Sequence, residues 1–144
     1  MAMPRNLTPH FTVEEFERST TARVMEIDNR LPEHLVPAVK ALCENVLEPL
    51  RSLVGRPVNV TSGYRCEKLN TAIRGALRSQ HTKGEAADIR VAGMSVEDLA
   101  SHVLESANGY DQVILEPSWV HVSWRSPEKN RMQVLDMQGK WDKK

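Results

Sequence analysis

One segment in the middle of the chain alternates between two kinds of side chain: Ala86-Ala87-Asp88-Ile89-Arg90-Val91. Successive side chains of a β-strand point to opposite faces of a sheet. Ala87 and Ile89 therefore predict the face that packs on the core, and Asp88 points the other way. The segment predicts a strand that carries one carboxylate on the face opposite the core.

A second segment follows the same rule further along the chain: Trp119-Val120-His121-Val122-Ser123-Trp124. The two valines and Trp124 form its apolar face, and His121 lies on the opposite face. If the two strands are neighbours in one sheet, Asp88 and His121 lie side by side. His81, in the polar loop before the first strand, is then placed to close over them.

The rest of the chain predicts helices first and strands late. The longest helix is expected between Pro32 and Gly55, and Pro49 is expected to bend it near its end. Its core-facing stripe consists of Leu35, Val39, Leu42, Val46, Leu50 and Leu53. Capped starts at Thr12 and Ser95 predict two more helices. Further elements are a helix over 67–73, strands over 58–61 and 111–115, and a strand or hairpin over 134–141.

This order of elements is typical of an α+β fold, with helices packed against a mostly antiparallel sheet. The length of 144 residues suits a single domain over 1–144. Hydrophobic residues make up 40% of the chain and charged residues 26%, which is a globular composition.

Charge and hydropathy exclude two classes of function. Nineteen Lys and Arg residues balance nineteen Asp and Glu residues, so the chain lacks the basic excess typical of nucleic-acid-binding proteins. No apolar run is long enough to span a membrane. Residues 1–5 also lack the apolar stretch of a secretory signal. The sequence leaves the oligomeric state open, and a monomer is the expectation.

His81, Asp88 and His121 combine the donors that catalytic zinc sites use. Two imidazoles and a carboxylate bind Zn²⁺ and leave a fourth position open. Such an ion activates water for the hydrolysis of amides. The spacing alone leaves simpler interpretations open. A histidine beside a strand is often merely hydrogen-bonded within the protein or exposed to solvent, and an aspartate at a strand's start often caps a turn.

Three motifs extend this pattern over most of the chain. Residues 79–88 read Ser-x-His-x-x-Gly-x-Ala-x-Asp, preceded by Ser62-Gly63-Tyr64-Arg65 and followed by Trp119-Val120-His121-Val122-Ser123. In this order they resemble the peptidase M15 family. That family includes zinc D-Ala-D-Ala carboxypeptidases and phage peptidoglycan endopeptidases, and the resemblance implies the hedgehog-type fold.

The resemblance implies a role for each matching residue. The implied zinc ligands are His81, Asp88 and His121. Arg65 matches the active-site arginine of the family, which orients the substrate and offsets negative charge on the reacting oxygen. Trp119 shares a face with His121, so it is expected either to wall the substrate cleft or to pack at the cleft edge. Ser79 is expected to form hydrogen bonds near the metal.

The general base is the least regular part of the resemblance. Relatives carry an acidic residue or a histidine two or three positions before the last ligand, where this chain has Trp119 and Ser118. The nearest carboxylate is Glu116, whose odd offset points to the wrong face of a regular strand. A bulge or turn at Pro117 is expected to restore its direction. Glu116 is therefore the predicted base, and Asp111 is the alternative.

The resemblance implies a zinc metallopeptidase that hydrolyses bacterial cell-wall peptidoglycan, with the stem peptide as its substrate. Both a D,D-carboxypeptidase and an endopeptidase fit. We expect the protein either to be released from the host cell at lysis or to be carried in a virion, and a bacterial protein of prophage origin fits equally. The alternative is a non-enzymatic, metal-containing module that binds the cell wall or forms part of a phage particle.

Overall fold

The computed structural model of the protein describes residues 5–137 and contains both helices and strands. The helices are α1 (Val13–Glu17), α2 (Thr20–Val24), α3 (Val36–Leu42), α4 (Glu48–Val54), α5 (Glu67–Ala72) and α6 (Val96–Ser106). The strands are β1 (Asn6–Thr8), β2 (Phe11–Thr12), β3 (Asn59–Ser62), β4 (Ala86–Arg90), β5 (Gln112–Leu115), β6 (Val120–Ser123) and β7 (Gln133–Asp136). This mixture confirms the predicted α+β class. None of the described helices has the length and apolar character needed to cross a membrane.

Five strands form the main sheet in the order β3-β4-β6-β5-β7, while β1 and β2 pair separately. The pairs β3–β4, β4–β6 and β5–β6 are antiparallel, and β5–β7 is parallel. The main sheet is therefore mixed, with mostly antiparallel pairs as predicted.

The last strand differs from the prediction of a strand or hairpin over 134–141. It spans Gln133–Asp136 and runs parallel to β5. Because β4 already occupies the other side of β6, the chain after β6 passes β5 and pairs with the free edge of that strand. This route makes β7 parallel to β5. The part of the prediction around Gly139 lies outside the described residues.

One face of the main sheet packs on the helices. The inward side chains that the alternation predicted are fully buried: Ala87, Ile89, Val120 and Val122. Helix α6 packs against β5 and α4 and buries Leu99 and Val103. Its predicted cap is confirmed, since the Ser95 side chain accepts a hydrogen bond from the Asp98 N–H at 3.1 Å. The predicted capping box at Thr12 also forms.

The helix predicted between Pro32 and Gly55 is continuous, but its middle is π-helical. A 3₁₀ turn at Glu33–Leu35 leads into α3, and the π segment Cys43–Leu47 joins α3 to α4. Pro49 has no N–H and leaves the carbonyl of Asn45 without its usual helical donor. The N–H of Asn108, in the loop after α6, donates to that carbonyl at 2.8 Å. The proline is therefore accommodated by a wider turn and a tertiary hydrogen bond.

The predicted core-facing stripe holds through the π segment but changes at the end of α4. Val39, Leu42, Val46 and Leu50 are fully buried, as the predicted stripe requires. Leu53 was predicted to face the core but is 44% exposed, and Val54 packs against the core in its place. Positions three and four residues after Leu50 both lie near its side of a helix, so a period of 3.6 residues does not decide between Leu53 and Val54.

Leu50→Ala is expected to lower the free energy of unfolding by about 2–5 kcal/mol, because it opens a cavity in a fully buried part of the core. Leu53→Ala is the matched control and is expected to cost about 0.5 kcal/mol. Urea denaturation followed by circular dichroism measures both values. Equal losses for the two variants would show that Leu53 is packed in the core as Leu50 is.

Candidate metal centre

The pairing of β4 with β6 brings two of the candidate ligands together. Asp88 and His121 are direct partners in this antiparallel register, so their side chains stand on the same face of the sheet. His121 Nδ1 lies 3.0 Å from Asp88 Oδ1. The juxtaposition predicted from the alternation of the two strands is confirmed.

His81 reaches the same oxygen from a 3₁₀ turn at Gln80–Lys83. Ser79 caps this turn, and its Oγ accepts a hydrogen bond from the His81 N–H at 3.2 Å. Gly84 ends the turn with a φ of +70°, a conformation that glycine adopts at little cost. The chain then enters β4 directly. His81 Nε2 lies 3.3 Å from Asp88 Oδ1, and the residue is only 3% exposed.

The hydrogen bond on the other ring nitrogen fixes how His81 faces the site. His81 Nδ1 lies 2.7 Å from the carbonyl oxygen of Gly63. A carbonyl only accepts, so Nδ1 carries the proton. In the neutral ring, the lone pair of Nε2 therefore faces a carboxylate oxygen, a repulsive arrangement that a cation between the two atoms removes. Metal-binding histidines usually hold their second nitrogen in this way.

The distances fit a small divalent cation. The three donor atoms of His81, Asp88 and His121 all lie within 4.8 Å of one another. Two donors bound tetrahedrally to zinc at about 2.0–2.1 Å are separated by about 3.3 Å, close to the 3.0 and 3.3 Å distances at Asp88 Oδ1. Two nitrogens and one oxygen leave a fourth position for water or substrate. We call these three residues the candidate metal centre.

Asp88 is held in its charged form at this centre. Burial opposes its ionisation, but hydrogen bonds from His121 and, when its ring carries both protons, from His81 outweigh burial and keep the pKa of Asp88 well below the ordinary range. Its Oδ1 faces the two histidines, and its Oδ2 accepts a hydrogen bond from Arg65 at 3.4 Å. One carboxylate thus connects the metal-binding atoms with the arginine.

Arg65 comes to the site from the turn after β3. Its guanidinium donates to Ser62 Oγ at 3.1 Å and to Asn70 Oδ1 at 3.3 Å, besides Asp88. Its backbone N–H also donates to the carbonyl of His81 at 3.2 Å. Arg65 therefore lies beside the metal centre with a fixed orientation. Sequence reasoning missed Asn70, because nothing in its local sequence signals a contact with the arginine.

Gly63 joins this turn to the amino-terminal helix α1. A Cβ atom at this position would lie 2.7 Å from the Cα of Phe16, so only glycine permits the close approach. The Phe16 carbonyl accepts a hydrogen bond from the Tyr64 N–H at 2.8 Å. The turn that orients both Arg65 and His81 is therefore packed directly on α1.

Glu116 reaches the site face through the tight hairpin around Pro117 and Ser118, so of the bulge or turn expected at Pro117 the structure has the turn. The register of β5 with β6 pairs Leu115 with Val120. The next pair is Glu116 with Trp119, joined by a hydrogen bond from the Glu116 N–H to the Trp119 carbonyl at 3.0 Å. Because Trp119 lies two residues before His121, all three side chains share one face.

The environment of Glu116 raises its pKa. Burial contributes most, the negative charge of Asp88 adds to it, and the charge of His121 opposes it. A carboxylate with a raised pKa is suited to accept and return a proton near neutral pH. Glu116 therefore combines the face and the electrostatics that a general base requires.

Asp111, the alternative base, is engaged elsewhere and is fully buried. It accepts hydrogen bonds from Arg131 at 2.7 and 3.0 Å, from Gln80 at 2.9 Å and from Ser123 at 3.3 Å. Burial disfavours the ionised form, but these partners lower the pKa of Asp111 to about 2. Through Gln80, this carboxylate anchors the turn that carries His81. The geometry favours Glu116 over Asp111 as the base.

Asp111→Asn is expected to lower the free energy of unfolding by about 1.5–3 kcal/mol, the value of hydrogen bonds to a charged group. The folded-state pKa of Asp111 lies below its ordinary value, so its stabilisation is complete above that value and is lost as pH falls from about 4 towards 2. Denaturation at several pH values measures this difference, with the exposed Asp98→Asn as the control. A variant as stable as the unmodified protein at pH 7 would contradict the anchoring role.

Two further residues, Ser79 and Trp119, were predicted near the metal centre. Ser79 is buried, and its hydroxyl shapes the His81 turn. Trp119 is half-buried on the face of His121, where a cleft wall was expected. Cys43 is buried and Cys66 half-buried, and both thiols are free.

Comparison with known proteins agrees with this geometry. The sequence model of one family, Peptidase M15, matches residues 9–123. No curated protein matches the chain. The matched residues include the whole candidate metal centre together with Arg65 and Glu116, and they cover most of the 144-residue chain. The chain therefore belongs to the peptidase M15 family.

Proposed function

We propose that the protein is a zinc metallopeptidase that hydrolyses peptide bonds in the stem peptides of bacterial peptidoglycan. The observation that carries the proposal is the convergence of His81, Asp88 and His121 on one site within 4.8 Å. Membership of the peptidase M15 family supports hydrolysis of a peptide bond. The motifs shared with D-Ala-D-Ala carboxypeptidases and phage endopeptidases support a cell-wall substrate.

The zinc ligands and Glu116 have different roles in the proposed hydrolysis. Zinc held by His81, Asp88 and His121 supplies Lewis acidity for the attack of water on an amide. Glu116 accepts a proton from the attacking water and delivers one to the leaving amine. Its raised pKa supports both steps, because the carboxylate takes up the proton of water more readily and the carboxylic acid then gives a proton to the amine.

Arg65 orients the substrate in this proposal. Its guanidinium is fixed by Ser62, Asn70 and Asp88, so little ordering is needed when a substrate carbonyl or carboxylate arrives. A preorganised cation also offsets the negative charge that develops on the carbonyl oxygen. The same pairing with Asp88 keeps the guanidinium beside the metal-binding atoms.

Defined muropeptides test the proposal most directly. Zinc-loaded protein is expected to release new amino groups from a stem pentapeptide, and the mass of the products identifies the bond that is cleaved. Protein treated with a chelator is the control, and added zinc is expected to restore its activity. Zinc binding without any product would instead favour the non-enzymatic cell-wall module. We propose the cell wall as the place of action, reached at lysis or from a virion.

A further inference from the structure

A groove of about 720 Å³ opens at one end of the main sheet, next to the candidate metal centre. Its walls come from the ends of β3, β4 and the β5–β6 hairpin, and from the loop that leads into α6. The residues that give it chemical character are Asn59, Arg90, Met94, Glu97 and Trp119. None of the three candidate zinc ligands lines it.

The groove is continuous with the site face of the sheet. Arg90 lies two residues beyond Asp88, and Trp119 lies two residues before His121. Residues two apart on a strand share a face and are separated by roughly 7 Å. Because an extended peptide advances about 3.3–3.6 Å per residue, a substrate residue one or two positions from the reacting bond reaches this groove.

Two opposite charges in the groove have no partner among residues 5–137. Arg90 is exposed and Glu97 is half-buried. Neither side chain forms a hydrogen bond or an ion pair with any of these residues, nor do the two pair with each other. The other described arginines beside the site, Arg65 and Arg131, are both engaged with carboxylates. A free guanidinium and a free carboxylate in one groove are complementary to a ligand that carries both charges.

We propose that this groove binds a substrate side chain that ends in both a carboxylate and an ammonium group, which in the stem peptide is the side chain of meso-diaminopimelate. The carboxylate pairs with Arg90, the ammonium group pairs with Glu97, and the methylene chain lies on Trp119. A lysine at the same position pairs with Glu97 through its ammonium group and leaves Arg90 without a partner. This inference rests on the proposed function and adds to it a preference at the third residue of the stem.

Two synthetic pentapeptides test this specificity: L-Ala-γ-D-Glu-X-D-Ala-D-Ala with X either meso-diaminopimelate or L-lysine. All other charges are identical in the two probes. Calorimetric titration of the zinc-loaded Glu116→Gln protein measures binding with turnover suppressed. The diaminopimelate peptide is expected to bind at least about tenfold more tightly, the effect of one hydrogen-bonded charge pair.

Variants made in the same background assign this preference to the groove. Arg90→Ala is expected to abolish the tenfold difference, and Arg90→Lys is expected to retain part of it. Glu97→Gln is expected to weaken both peptides, because both carry an ammonium group. Arg125→Ala removes an exposed arginine at the opposite end of β6 and is expected to leave the difference unchanged. Equal affinity for the two peptides, a preference that survives Arg90→Ala, or no binding of either peptide would overturn the inference.

Hydrolysis by the unmodified protein separates this inference from the proposed function. If the unmodified protein cleaves both peptides and the two peptides bind equally tightly, only the groove assignment is overturned. Preferential binding without cleavage of either peptide supports the groove assignment and overturns the proposed peptidase.

Discussion

Asp88→Ala is expected to lose stoichiometric zinc and to reduce hydrolysis of stem peptides to the background rate. The Asp88 carboxylate contributes the oxygen that lies 3.0–3.3 Å from both histidine nitrogens. Without it, only two of the three protein ligands of a catalytic zinc site remain. Elemental analysis of the purified variant measures the zinc, and product mass measures the activity.

The same substitution also leaves Arg65 without its carboxylate partner, so folding has to be followed separately. His121→Ala removes one donor but keeps the contact between Asp88 and Arg65, and it is expected to lose zinc with a smaller fall in melting temperature. Asp98→Ala, an exposed aspartate at the start of α6, is the matched control and is expected to behave as the unmodified protein. Full zinc content and activity in both site variants would refute the ligand assignment.

Glu116→Gln is expected to keep its zinc and its fold while the rate of hydrolysis falls by about 10²–10⁴, the usual contribution of general acid–base catalysis. The amide has nearly the same shape but accepts no proton. Single-turnover kinetics measure the rate of hydrolysis, and elemental analysis measures the zinc that the variant retains. Glu128→Gln, on the exposed turn after β6, is the matched control.

The pH profile provides a second readout of Glu116. A base acts in its deprotonated form, so activity falls as the pH drops through its pKa. Burial and the charge of Asp88 raise that pKa in the metal-free protein and bound zinc opposes the shift, so the acidic limb reports the pKa of Glu116 in the zinc-loaded protein. This limb should be absent in Glu116→Gln. A variant with a near-normal rate and an unchanged acidic limb would move the base to another residue.

The site was largely predictable because its decisive feature is local. The alternation along Ala86–Arg90 and Val120–Ser123 fixes which side chains share a face. One correct pairing of these two strands is then enough to bring Asp88 next to His121. Glu116 was identified through the bulge or turn expected at Pro117, and the structure places it directly after β5, opposite Trp119 across the hairpin.

The other differences have a common cause in long-range contacts. The π segment before Pro49 depends on a hydrogen bond from Asn108, and the anchoring of Asp111 depends on Arg131. The parallel position of β7 depends on which sheet edge is still free. No local period or turn motif encodes these partners, so sequence patterns gave the elements but not these connections.

The packing of Gly63 on Phe16 has a practical consequence for shortened versions of the protein. Helix α1 contains no candidate zinc ligand, yet it braces the turn whose carbonyl fixes the ring of His81. A fragment that begins after α2 would keep all three donors and Arg65 but lose this brace. Such a fragment should bind zinc weakly even if its sheet is intact, so the amino-terminal residues belong to the smallest unit capable of catalysis.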